Sequence, residues 1–400
     1  MGAHHQVSPQ ALWGEVSTPG ADVSLIRGGP FYRLQRLTRL IGPDRWNLGR
    51  RITSAVVVGW LPLVLLTALL NPSVLSDLLR DYRVTARMLV AVPVLLIGQV
   101  VMDARFKMVL RHLREIDILR PTDLQRLDAI IARVMRWRDS LWPEVLLVAL
   151  VYVNVTLALS SHMHDTRPWA LGGDGAVHLL PAGWYYVLVS QLVYQFLAAI
   201  SAWKWLLWSY FAFHLSRLEM NLVPTHPDQH GGLGFLGLSP MGSAPLAFAV
   251  SVAIGGNWRF QILAHRAHLA DFKIDAIVLL AILLIVSAGP LVFFVPRLAK
   301  LRLDGLLEYG TLGQIHSVDF HKKWVLDRNR NADEFLAAPE ISALIDYGSS
   351  YENIQKMQPF PLDKGSLVVL ALAVALPLLP VLLTEVPIAE VLKALLQAAK

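Results

Sequence analysis

The chain has no cysteine and, for its length, few charged residues. Without cysteine it can form no disulfide, thiolate metal site or cysteine nucleophile, so any metal must be bound by His, Asp, Glu or Met. Charged residues make up 16% of the 400 residues and hydrophobic residues 54%, whereas about 25% of the residues in soluble domains are charged. So little charge would not cover the surface of a water-soluble fold, and the composition indicates a membrane protein.

Two further patterns are missing. The first fifty residues hold no apolar core of the kind that a signal peptide needs, so we expect the first hydrophobic helix to act as an uncleaved insertion signal. No internal repeat is visible, so the sequence lacks the inverted-repeat sign of many secondary transporters.

The net charge of +6 comes from basic residues spread beside hydrophobic segments. We therefore expect a lipid bilayer as partner and no nucleic acid.

Long apolar runs dominate the rest of the chain. A helix needs about 20 mostly apolar residues to cross a hydrocarbon core of roughly 30 Å. We predict an all-α, polytopic transmembrane bundle with seven such helices. They are placed at 52–70, 86–102, 141–160, 184–211, 235–256, 274–295 and 366–384.

The distribution of Lys and Arg predicts the orientation, because cytoplasmic flanks carry the excess. The segments 1–51, 103–140, 213–235 and 297–364 hold 26 of these residues, and the segments on the opposite side, with the C-terminal tail, hold 8. The N-terminus is therefore predicted inside and the C-terminus outside. We expect a bacterial inner-membrane protein with this domain order: a basic cytoplasmic segment 1–51, a transmembrane hairpin 52–104, cytoplasmic amphipathic helices 105–140, a bundle 141–299, a cytoplasmic helical segment 300–364, and a last helix with its tail 365–400.

Two of the cytoplasmic segments are predicted to fold. After Pro121, Thr122 and Gln125 match a capping box, and an apolar helical face follows. That helix is predicted to lie on the anionic inner leaflet or to extend the third transmembrane helix. The segment from 298 to 364 is predicted to form a helical hairpin. Its apolar face would consist of Leu303, Leu306, Leu307 and Tyr309 in one helix, and Ile341, Leu344 and Ile345 in the other.

The most distinctive motif is the glycine-rich turn 226–237 before the fifth helix. Gly232, Gly234 and Gly237 match Gly-x-Gly-x-x-Gly, but a dinucleotide fingerprint must follow a strand and open a soluble helix, and this motif lies between two hydrophobic helices. We interpret the glycines as residues of a tight turn. The same turn contains His226, Asp228 and His230, which could bind a divalent metal such as zinc or relay a proton. A purely structural turn is the alternative.

Lys204 is the outstanding charge within a predicted span, flanked by Trp203 and Trp205. An intramembrane charge is a candidate pathway residue. Lys204 falls in the inner third of the fourth helix, however, so its ammonium could instead extend to the headgroups and anchor the helix. Gln99, Asn154, Gln191 and Gln195 are polar enough to bond between helices or to line a pathway.

The stretch from Ala338 to Glu352, the stretch from Leu376 to Thr384 and the turn 226–237 resemble a group of uncharacterised bacterial integral membrane proteins. The resemblance covers most of the membrane region. It implies an inner-membrane location and no particular activity. In that group the position of His230 usually holds a small residue, which speaks against a metal role for His230.

Three classes of function fit these observations. The first is a transport or channel-like protein, because nearly the whole chain is committed to the membrane. The second is a membrane enzyme or metal-dependent protein with its site at His226, Asp228 and His230. The third is a signalling or scaffold subunit, alone, as a homo-oligomer or in a membrane complex. A transporter predicts a polar path inside the bundle, an enzyme predicts ionisable side chains in one cleft, and a scaffold predicts an exposed apolar patch.

Overall fold

The computed structural model describes residues 23–42, 46–116, 118–162, 168–172, 178–265, 267–326 and 339–385. In these residues nearly all regular structure is helical. The helices are α1 Pro30–Leu37, α2 Leu48–Leu70, α3 Leu75–Arg80, α4 Tyr82–Glu115, α5 Pro121–Asp139, α6 Leu141–His162, α7 Pro181–Leu215, α8 Gly234–Ala264, α9 Leu269–Leu326, α10 Pro339–Lys356 and α11 Lys364–Leu382. The strands β1 Leu171–Gly172 and β2 His178–Leu179 pair antiparallel before α7.

Six of these helices are long and apolar enough to cross a membrane, namely α2, α4, α7, α8, α9 and α11. The bent pair of α5 and α6 makes a seventh candidate span. The prediction of an all-α polytopic bundle is therefore confirmed. Most of these spans are longer than predicted, and α4 and α9 exceed their predicted bounds the most, because α4 continues to Glu115 and α9 to Leu326 through polar residues.

Helix α5 packs on the bundle instead of lying alone. Its buried apolar side chains, Leu127, Ile131 and Val134, join a core cluster that contains Phe211 of α7. The axis then bends by 46° between α5 and α6. As a bent continuation of α6, α5 fits the predicted extension of the third span, and its position on the inner leaflet stays a prediction. The predicted capping box is wrong, because Arg120 occupies the N-cap and no side chain caps the helix.

The segment after the sixth span forms the predicted helical hairpin, in which α9 contacts α10. Its contact face differs from the prediction. Leu303 and Leu307 are 58% and 63% exposed, and α10 instead packs over small residues of α9. A Cβ built on Gly313 would lie 2.7 Å from the Tyr347 ring, so the absence of a side chain there lets the two helices approach closely.

Candidate functional site

A segment without regular structure, residues 23–29, is held against one end of the bundle. The hydroxyl of Ser24 donates a hydrogen bond to the carboxylate of Asp103 in α4, and the guanidinium of Arg138 in α5 donates to the Ser24 carbonyl. Leu25 is fully buried in the core. The segment is therefore part of the folded bundle and not a free tail.

Two more acidic residues bind the backbone of the same segment. The amide of Gly29 donates to Asp139 Oδ1 at 2.9 Å, and the amide of Phe31 donates to Glu144 Oε2 at 2.6 Å. Glu144 lies in the first turn of α6 and is buried. Each carboxylate thus receives a hydrogen bond that a buried charge requires.

Lys204 of α7 lies beneath this segment. Its side chain is only 4% exposed, and its ammonium has no hydrogen-bond partner. Glu144 contributes the strongest charge acting on it. Both predicted roles, interfacial anchor and pathway residue, stay predictions, and burial of the side chain means that an anchor would have to reach the headgroups from inside the bundle.

Small cavities lie on two sides of Lys204, and Gln99 and Ile26 line both of them. Each has a volume of about 10 Å³, which is room for about one water molecule. Ser201 lines the first cavity and Glu144 the second. The ammonium of Lys204 therefore lies beside small spaces, each with room for about one water molecule, inside a bundle of apolar helices.

A second buried cation lies next to this site. Arg51, in the first turn of α2, is 2% exposed and donates from Nη2 to Gln99 Oε1 at 2.5 Å. Its Nε and Nη1 have no partner. Arg51, Gln99, Glu144 and Lys204 together form what we call the charged layer. Four helices contribute to it, and the N-terminal segment closes one of its sides.

A separate polar group lies toward the opposite end of the same helices. Arg87 of α4 donates to the Tyr186 hydroxyl of α7 at 3.4 Å, and both residues belong to π-helical turns. The Tyr194 hydroxyl donates to the carbonyl of Ala249 in α8 at 3.0 Å. Because π-turns often mark functional positions, this polar group is a second place of interest within the bundle.

An apolar belt separates the two polar groups. Leu95, Leu96 and Leu197 are buried there together. Arg87 and Gln99 are twelve residues apart on α4, which is about 18 Å along a helix. The bundle interior is therefore polar, then apolar, then polar along most of the membrane thickness.

The glycine-rich turn is organised around Asp228. Its carboxylate accepts hydrogen bonds from the amides of His230 at 2.8 Å, Gly232 at 3.1 Å and Gly234 at 2.8 Å. Partial burial would raise the pKa of Asp228, but these three amides outweigh it and hold the pKa below its ordinary value. Gly232 has a φ of 98°, a conformation that glycine adopts without strain.

His226 lies beside Asp228 in a cleft of about 420 Å³. Its Nδ1 lies 2.8 Å from Asp228 Oδ1 and 3.3 Å from the Asp228 amide. The shorter contact favours an Nδ1–H that donates to the carboxylate, which leaves Nε2 as the acceptor. His112 lines the same cleft, and its ring meets the Phe235 ring edge to face.

The turn does not assemble the predicted metal site. His230 points elsewhere, with its Nδ1 2.9 Å from the carbonyl of Gln358. Within the described ranges, no group of three His, Cys, Asp or Glu side chains is arranged to hold a metal ion. The geometry therefore fits the structural alternative, a turn whose amides are bound by Asp228.

Sequence reasoning missed most of the charged layer. It singled out Lys204 and noted Gln99 as polar, but Arg51 and Glu144 begin transmembrane helices, where charges normally face water. Contacts between distant parts of the chain bury them. The one available signal was the pair of adjacent apolar residues Leu25 and Ile26 in the N-terminal segment.

Comparison with protein-family models, with curated proteins and with solved structures finds no match for the chain. The structure itself defines the class. With several apolar helices long enough to span a bilayer, the chain is a multi-pass membrane protein.

Proposed function

We propose that the chain is a transport protein that moves a small ion across the membrane, with the charged layer as a binding station. The observation that carries this proposal is the environment of Lys204. Its ammonium is buried in a transmembrane bundle without a hydrogen-bond partner and lies beside two small cavities. A purely structural lysine would be expected to be paired or to reach the surface, because an unpaired buried ammonium is costly.

The apolar belt supports the proposal. A transporter must keep its binding station from opening to both sides at once, and a belt of packed leucines between two polar groups does this. In this conformation the cavities beside Lys204 hold about one water molecule each. The structure thus resembles a closed state, in which movement of the N-terminal segment or of the belt would open one side.

We further infer a bacterial inner-membrane location with the N-terminus in the cytoplasm. The excess of Lys and Arg in the segments on one side supports this orientation. It places the charged layer near the cytoplasmic face and the group around Arg87 near the external face.

The test is aqueous access to the charged layer. The chain has no cysteine, so single cysteine variants can be labelled without background. Ser201→Cys places a thiol in the cavity beside Lys204, and Leu206→Cys places one on the same helix at an exposed, lipid-facing position. Both variants are treated in oriented membrane vesicles with a small, charged methanethiosulfonate reagent that does not cross membranes.

We expect labelling of Ser201→Cys, because the transport cycle must open one side of the bundle and admit the reagent, and none of Leu206→Cys, because a thiol surrounded by lipid stays protonated and unreactive. Detergent-denatured samples provide the control that both thiols can react. If Ser201→Cys stays unlabelled from both sides of the membrane, as Leu206→Cys does, the charged layer is sealed and the transport proposal fails.

A second candidate function is partner docking, and the exposed side chains of Leu303 and Leu307 on α9 favour it. A cytoplasmic helix with such side chains offers an apolar surface. The paired substitutions Leu303→Gln and Leu307→Gln separate the two candidates. Transport through the bundle predicts unchanged flux in this variant, and a scaffold predicts loss of the cellular phenotype with an intact bundle.

A further inference from the structure

The charged layer carries more positive charge than its carboxylates balance. Asp103 forms a 3.4 Å salt bridge with Lys107, and Asp139 forms one of 2.6 Å with Arg138. That leaves Glu144 as the remaining carboxylate among the described residues of the layer, opposite two buried cations.

Arg51 and Lys204, the two buried cations of the charged layer, have N–H groups without a hydrogen-bond partner. No donor of Lys204 has a hydrogen-bond partner, and Arg51 has one hydrogen bond, to Gln99, besides a contact of its guanidinium with the Trp46 ring at 5.9 Å from the ring centroid. No salt bridge joins either of them to a carboxylate in the described ranges. A buried guanidinium or ammonium is stable only when an opposite charge or a full set of hydrogen bonds compensates its lost hydration.

We propose that a small monovalent anion binds in the charged layer, in the space beside Lys204 that Gln99 also lines, next to Arg51, which donates to Gln99. Arg51 and Lys204 carry one positive charge more than Glu144 balances, so the anion should carry a single negative charge. The anion would accept hydrogen bonds from the unused donors of both cations, and such charge-assisted bonds are the strong ones in proteins. That this anion is the transported ion rests on the proposed function. Binding of the anion does not, because an anion can bind without being transported.

The small space sets the size of the anion. Cavities of about 10 Å³ suit a halide, or another anion not much larger than water, and exclude a sulfate or a carboxylate metabolite in this conformation. The segment 23–31 covers the site, which also excludes a lipid headgroup. The class of ligand is therefore a halide-sized inorganic anion.

The experiment measures binding with the full chain in detergent. Thermal unfolding midpoints are recorded in chloride, bromide and nitrate, with gluconate and sulfate as non-binding arms at equal ionic strength. Binding to the folded state raises the midpoint in a saturable way. We expect such a rise with the small anions and none with gluconate or sulfate.

Three variants identify the site. Arg51→Gln and Lys204→Gln should each weaken chloride binding about tenfold or more, because each removes a charge-assisted bond. Arg50→Gln is the matched control, since Arg50 is the exposed neighbour of Arg51 and should bind as the wild type does. If Arg51→Gln fails to fold, Arg51→Lys keeps the charge and should retain saturable but weaker binding.

The outcomes separate the two proposals. If the wild type shows no difference between chloride and gluconate, the anion proposal is overturned, and labelling at Ser201→Cys still decides on transport. The anion proposal is also overturned if chloride raises the unfolding midpoint equally in wild type, Arg51→Gln and Lys204→Gln, because the anion would then bind elsewhere.

Discussion

The amide of Phe31 donates a 2.6 Å hydrogen bond to the carboxylate of Glu144, and this contact ties the N-terminal segment to the first turn of α6 beside Lys204. The same carboxylate is thus both a fastening point for the backbone and the principal negative charge near a buried ammonium. Closure of the bundle end and charge balance in its interior depend on one side chain.

The first prediction concerns that double role. Glu144→Gln should lower the free energy of unfolding by about 1–3 kcal/mol, because it weakens the hydrogen bond from the Phe31 amide and removes a negative charge near Lys204. Adding Lys204→Met should recover much of the loss, since the ammonium is then gone as well. A double-mutant cycle measured by unfolding in detergent gives the coupling. Simply additive effects of the two substitutions would show that the groups do not interact.

A second prediction concerns Asp228. Asp228→Asn should speed hydrogen exchange at the amides of His230, Gly232 and Gly234 by about 10-fold or more, because a buried hydrogen bond to a charged group contributes roughly 1.5–3 kcal/mol. Asp128→Asn is the control, since the Asp128 side chain is exposed and distant from the turn. Unchanged exchange in Asp228→Asn would mean that other contacts hold the turn.

The pH dependence of the turn follows from the same carboxylate. The pKa of Asp228 is lower in the folded chain than its ordinary value of 3.8. Its contribution to stability is therefore fully present above about pH 4 and is lost as the pH falls through the lowered pKa. Exchange at the Gly234 amide, corrected for its intrinsic rate, should rise only in that acidic range. A transition outside that acidic range would indicate that a group other than Asp228 holds the turn.

The helical hairpin provides a third kind of test. Gly313→Ala should loosen α10 from α9 by about 1–3 kcal/mol, because the new methyl group would meet the Tyr347 ring. Gly348→Ala lies on α10 in open space and should be neutral or stabilising by up to about 1 kcal/mol. Hydrogen exchange across 340–356 reports the difference. Equal behaviour of the two variants would contradict the close packing at Gly313.

Topology is tested with reporters fused near residues 40, 120, 170 and 330 and at the C-terminus. The positive-inside rule predicts cytoplasmic readings at 40, 120 and 330 and external readings at the other two positions. An external reading near 330 would exclude a cytoplasmic N-terminus combined with seven spans, because it would put the longest basic segment on the wrong side.

The sequence predicted the spans because twenty apolar residues in a row have few other uses. It underestimated α4 and α9, since hydropathy detects only the apolar part of a helix that continues through polar residues. Hydropathy singled out Lys204 and missed Arg51 because of where each charge lies in its apolar run. A charge in the middle of an apolar run stands out, whereas a charge at the start of one looks like an ordinary flank. Burial of Arg51 and Glu144 depends on contacts between distant parts of the chain, which no local pattern reveals.

Chloride flux through the charged layer is the decisive test of anion transport by this chain. The full chain is reconstituted into liposomes loaded with KCl, valinomycin is added so that K⁺ efflux balances the charge, and chloride efflux is followed with an ion-selective electrode for wild type, Lys204→Met, Arg51→Gln and the control Arg50→Gln. We predict efflux from wild type and Arg50→Gln that exceeds efflux from protein-free liposomes, and a loss of about tenfold or more in Lys204→Met and Arg51→Gln. Efflux that is equal in all four proteins, or absent from wild type, would contradict transport through the charged layer.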